Sequence, residues 1–264
     1  MTGPINIQPP TSRGALRWTA IVCFVFAAAC GSPGQSRPAP GRASTAETES
    51  TAPYQAEVEE GLGAAVAILV DTSGSMKDDA PGDTRPKNIV AREAIEAMLD
   101  ATDAVVAKRP GFPVKVGIFS FSSSAQTLLP IQPYERGQVR AALARLPPPG
   151  GGTAIGEAMR TARPELYRAG VFRKYLLVVT DGQNTSGRAP DGVARDIWRK
   201  SEGGVQIHFV AFDTSPDKFS FLQDVGGHVM TAANGESLRK ALDEIYQGKI
   251  LAEAVGAGER EIKK

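Results

Sequence analysis

Three short stretches of this 264-residue chain gather oxygen-bearing side chains of the kind that hold a hard cation. Residues 71–76 read DTSGSM, so Asp71, Ser73 and Ser75 alternate within one loop-sized segment. Residues 150–156, GGGTAIG, offer Thr153, and residues 180–187, TDGQNTSG, offer Asp181. All five are hard oxygen donors, and none is a histidine or a thiolate. Mg²⁺ takes six such oxygens in near-octahedral geometry; Mn²⁺ and Ca²⁺ use the same ligand class. Each stretch also has a plainer use. Ser73 and Ser75 suit a turn or a helix N-cap, Thr153 could cap a helix beginning at Ala154, and Asp181 suits a turn.

Other chemistries find little support. GGTAIGE (151–157) has the Gly-x4-Gly outline of a phosphate loop, but Glu157 stands where that loop needs Lys. No HExxH or Gly-x-Ser-x-Gly occurs, and the two histidines, His208 and His228, read as packing residues. A formal net charge of +1 gives no basic field for nucleic acid. The only cysteines, Cys23 and Cys30, lie near the N-terminus, so the main domain has neither a disulfide framework nor a thiolate metal site.

The elements that must position the five oxygens are legible from about residue 60 onward. Near-continuous apolar runs at AAVAILV (64–70), VKVGIFSFS (114–122), YLLVVT (175–180) and VQIHFVAF (205–212) suit strands buried on both faces of a parallel sheet. Helical patterns lie between them. In 87–109, Val90, Ala94, Ala97, Ala101 and Val105 recur at three- and four-residue steps, and similar patterns span 135–146, 153–166, 191–200 and 236–247. AQTLLPI (125–131) carries Pro130 and reads as a short antiparallel edge strand. The expected fold is α/β and doubly wound: a mostly parallel sheet with one antiparallel edge strand and helices on both faces. In such sheets ligands bind beyond the carboxyl ends of the strands, where strand order reverses. The stretches carrying Asp71, Thr153 and Asp181 fall at strand ends or at the start of a helix.

Asp-x-Ser-x-Ser, then Gly-Thr, then Thr-Asp-Gly after a buried strand resembles the von Willebrand factor A domain and its metal-ion-dependent adhesion site. The resemblance covers roughly residues 60–250, including FLQDVGGHVMTAANGESLRKALDEIY at 221–246. It implies that Ser73 and Ser75 bind a metal directly and that Thr153 does so directly or through water. Asp71 and Asp181 would hold the metal's waters. It further implies a Mg²⁺ ion (Mn²⁺ and Ca²⁺ being the alternatives) with one position left for an Asp or Glu of a partner protein. A last helix that shifts on ligand binding is known in switching members. Asp78 and Asp79 resemble the acids that take a second ion in integrin β subunits, although KDDAPGDTRPK (77–87) reads equally as a solvated loop.

The first 60 residues have another character. Residues 1–17 carry Arg13 and Arg17 and no acid, and WTAIVCFVFAAAC (18–30) is a short apolar run ending in small residues. That is the pattern of a secretory signal, shorter than the ~20 apolar residues of a spanning helix. AAAC followed by Gly31 resembles a bacterial lipobox, with Ala27 where a larger aliphatic residue is usual. The expectation is a signal at 1–29, lipidation of Cys30 and membrane attachment; secretion after cleavage at Ala29 is the alternative. Residues 30–59, rich in Pro, Ser, Ala and Thr, read as an extended tether, 60–250 as the domain, and 251–264 as a polar tail. The expected function is a membrane-anchored, metal-dependent protein-binding module and not an enzyme; a metal-dependent hydrolase of the cell envelope is the rival.

Overall fold

The computed structural model describes residues 61–252. The expected signal segment, Cys30 and the tether lie outside them, as does most of the expected tail. Six strands form one sheet: β1 (Gly61–Asp71), β2 (Val114–Phe121), β3 (Ala125–Pro133), β4 (Val171–Thr180), β5 (Val205–Phe212) and β6 (His228–Ala232). Their spatial order is β3-β2-β1-β4-β5-β6. Only the β2–β3 pair is antiparallel, which places Pro130 on an edge strand as the sequence indicates. From β1 the chain builds outward to β2 and β3, then crosses back to β4 on β1's other side. The order therefore reverses between β1 and β4, where Ile68 lies opposite Leu177.

Helices α1 (Lys87–Lys108), α2 (Arg136–Leu143) and α5 (Gly235–Ile245) cover one face; α3 (Ile155–Tyr167) and α4 (Pro190–Lys200) cover the other. β1 has side chains in both layers, which explains its unbroken apolarity. Val66, Ile68 and Val70 pack under α1 and α5, while Ala65, Ala67 and Leu69 pack under α3. Burying each large aliphatic side chain contributes about 1.5–3 kcal/mol, so the sheet is held by its own core.

Three local readings change. The buried arc of α1 centres on Ala91, Ile95, Met98 and Leu99, because the bulkier side chains take the sheet-facing positions. Ala97, Ala101 and Val105 lie at its margin, half-buried. Strand β6 has no counterpart in the sequence reading, since HVMTA is short and follows two glycines. At the C-terminus α5 runs on into a π-helical turn, Tyr246–Leu251, whose Tyr246, Ile250 and Leu251 are buried. The core thus reaches into the segment expected to be tail.

Candidate metal centre

Asp71 ends β1 and is fully buried. Its Oδ1 accepts the Ser73 N–H at 2.7 Å and its Oδ2 accepts the Thr180 hydroxyl at 2.5 Å. Burial pushes this carboxyl up to about 6 despite the hydrogen bonds from Thr180 and Ser73, and the Asp181 charge adds to the rise. Only neutral donors, the Ser73 N–H and the Thr180 hydroxyl, are seen to stand against its charge among the described residues.

The chain after Asp71 bends into a 3₁₀ turn, Gly74–Lys77. Ser73 precedes that turn, but its hydroxyl makes no capping bond; it lies 3.4 Å from the Ser75 hydroxyl. Ser75 in turn donates to Asp181 Oδ1 at 2.8 Å, across from β1 to the end of β4. The N-cap reading of these serines gives way to a hydroxyl–carboxylate chain linking the two central strands. Thr153 does not cap a helix either, because α3 begins at Ile155 with Ala154 in the cap position. Backbone contacts fix it instead. Its N–H donates to Thr185 Oγ1 at 2.8 Å, and its carbonyl accepts from the N–H groups of Thr185 and Ser186 at 2.8 and 3.2 Å. Gly74 N–H donates to the Gly151 carbonyl at 3.0 Å, tying the Thr153 loop to the serine turn. Gly151, at φ 77°, and Gly152 permit this close approach; a Cβ on Gly152 would stand 2.2 Å from Ser186 Oγ.

All five expected residues thus lie on three loops stitched together beyond β1, before α3 and beyond β4. Among the described residues no group of three or more His, Cys, Asp or Glu side chains gathers to hold a metal. A cation here would rely on hydroxyls, which leave much of its charge free. Asp78 and Asp79 are exposed and form no such cluster.

The comparisons with known proteins bear on the fold. The von Willebrand factor type A domain family matches residues 66–183, the span that carries all five oxygens. The fold is that of a von Willebrand factor type A domain. Among solved structures, the PilB minor pilin from Streptococcus sanguinis aligns at TM-score 0.58 and 16% identity, over 72% of this chain and 62% of the pilin. This chain therefore spans under two thirds of that protein's length. BatB from Bacteroides thetaiotaomicron aligns at TM-score 0.56 and 21% identity, over 74% of this chain and 99% of BatB. Proximal thread matrix protein 1 of the mussel byssus, in a structure with a zinc-occupied MIDAS motif, aligns at TM-score 0.54 and 20% identity, over 71% and 46%. No curated protein matches the sequence.

Three residues around these loops escaped the sequence reading. Thr180, the last residue of β4, secures Asp71. Lys87, the first residue of α1, is buried with its ammonium 3.1 Å from Asp181 Oδ2 and 2.7 Å from Asp213 Oδ2. Burial works against that charge, but hydrogen bonds to Asp213 and Asp181 outweigh it and hold the lysine above its ordinary value. Asp213 follows β5 at φ 50°, an uncommon conformation for a residue with a side chain. Its signal was present: Asp-Thr-Ser at 213–215 repeats the first three letters of 71–73, again just past a strand. Lys87 gave none, since a lysine in a polar turn before a helix reads as solvated.

Proposed function

We propose that this chain is a lipid-anchored, extracytoplasmic module that binds a partner protein through a divalent cation. The observation carrying this reading is the all-oxygen set at the β1/β4 reversal, with Asp71 buried and short of positive charge. Asp71, Ser73, Ser75, Thr153 and Asp181 would hold the ion, Mg²⁺ by preference, with Mn²⁺ and Ca²⁺ as alternatives. The ion supplies an electrophilic coordination position that an Asp or Glu of the partner fills. This chain's part is to set the oxygens, bury Asp71 beneath them and keep the outer side of the turn open; Ser75 is exposed there while Ser73 is 2% exposed.

Binding rather than catalysis is favoured by the placement of the bases. His208 lies within β5 opposite Leu177, four residues before Asp181, and pairs with His228 on β6. Neither stands at the carboxyl ends of the strands, where a water for the hydrolase alternative would be activated. Lipidation of Cys30 would hold the domain at a membrane by the tether. No helix among the described residues is long and apolar enough to cross one.

Capture of envelope proteins on the immobilised mature chain tests the reading. Partners should be retained in Mg²⁺, released by EDTA, and lost with Ser73→Ala. Retention in EDTA by the wild type would overturn the metal bridge. Cys30→Ser should move the protein out of the membrane fraction; an unmodified Cys30 in soluble wild-type protein would overturn the anchor.

A further inference from the structure

Lys87 is an expensive place for a cation. It occupies the first position of α1, at the positive end of the helix dipole, and its ammonium is buried. What compensates is the pair of carboxylates it spans, Asp181 at the end of β4 and Asp213 at the end of β5. Asp181 Oδ2 faces Lys87, while its other oxygen, Oδ1, accepts from Ser75. One side chain therefore stands between a resident ammonium and the hydroxyl chain of the metal centre.

We propose that Lys87 acts as a built-in counter-cation that sets how strongly the centre holds its metal, with Asp213 as the tether that keeps the ammonium partly off Asp181. This rests on the metal-bridge reading above and adds its regulation. A divalent ion entering beside Ser75 competes with the ammonium for the Asp181 charge. With Asp181 shared, the ion is left less neutralised, which weakens its own binding and keeps its open position attractive to an outside carboxylate. Asp213 is the adjustable element. Its carboxylate is partly exposed, it sits at the tip of β5, and it takes the shorter of the two contacts, 2.7 Å against 3.1 Å. Anything that draws Asp213 away, such as a basic group on a partner, returns the whole ammonium to Asp181.

The two residues therefore predict opposite signs, as loss of a charge of either sign near the ion would; the tenfold size expected of the Lys87 change is what marks direct competition for Asp181. Mn²⁺ and Mg²⁺ are titrated by calorimetry into the metal-free mature chain as wild type, Lys87→Met and Asp213→Asn, with thermal melts to confirm folding. Lys87→Met removes the competitor and should tighten Mn²⁺ binding about tenfold or more, a change of about 1.4 kcal/mol per tenfold. Asp213→Asn leaves the ammonium to Asp181 alone and should weaken binding several-fold. Lys87→Arg keeps the charge and should stay near wild type, a check available if the Met variant melts early. Equal affinities throughout, or weakening in both Lys87→Met and Asp213→Asn, would overturn the proposal while leaving the metal centre standing. A wild type that takes up neither metal would overturn both.

Discussion

Replacing Asp71 by Asn should remove the metal and yet make the metal-free protein more stable. In the folded, metal-free protein burial raises the Asp71 carboxyl from 3.8 to about 6. The folded state thus holds a proton more tightly than the unfolded chain, and above pH 6 it bears a buried charge it would rather not have. At about 1.36 kcal/mol per unit, the shift of roughly two units costs about 3 kcal/mol at pH 7.5. That cost shrinks as pH falls through 6 toward 3.8, because the folded carboxyl then protonates. Asn is nearly isosteric and keeps both contacts: its oxygen can accept from Ser73 N–H, and its amide can donate to Thr180 Oγ1. Thr180 retains the Gly182 carbonyl at 3.1 Å as an acceptor. In EDTA at pH 7.5 the variant should gain up to about 3 kcal/mol, or roughly 6–12 °C in Tm for a domain of this size. Mg²⁺ should raise the wild-type Tm and leave the variant's unchanged, since only a ligand bound to the folded state shifts the melt. Urea unfolding at pH 7.5 and pH 4.5, with and without Mg²⁺, measures each quantity. A variant less stable than wild type in EDTA at pH 7.5, or an advantage that does not shrink at pH 4.5, would refute the reasoning.

Other expectations follow from particular contacts. His208 is fully buried, stacks on His228 at 5.4 Å and is pushed down to about 4, first by burial and then by the charges of His228 and Lys249. Its folded value lies below its unfolded one, so stability should fall from pH 6.5 toward pH 4 by up to about 3 kcal/mol. Urea titrations in the Asp71→Asn background isolate this slope, and His208→Leu should flatten it. Gly156→Ala would place a Cβ 2.2 Å from the Arg188 carbonyl, forcing α3 off the loop that carries Asp181. It should cost about 1–3 kcal/mol and weaken Mg²⁺ binding, read by unfolding and calorimetry. Tyr246→Phe strips the hydroxyl that accepts from buried Thr102 at 2.8 Å. A loss of about 1–3 kcal/mol is expected, with faster hydrogen exchange over 235–251.

The sequence by itself determined the sheet and the location of the candidate metal centre. Runs apolar on every residue, such as AAVAILV, can only be satisfied by burial on both faces, and that dictates a covered parallel sheet. Polar stretches directly after such runs must emerge at strand ends, so the placement of Asp71 and Asp181 beyond β1 and β4 was legible, and Pro130 marked an edge strand. Tertiary structure alone decided what those residues touch. Lys87 is separated from Asp181 by 94 positions and Thr180 from Asp71 by 109. No local pattern encodes pairings of that span, because they exist only once β4 crosses back beside β1. Strand β6 was invisible for a related reason: five residues with mixed polarity become a strand only through the open edge that β5 offers them. The serines carried the same ambiguity, since Ser is equally at home capping a helix or facing a cation. What Ser75 touches was decided by the neighbouring strand, which brings Asp181 within 2.8 Å of it.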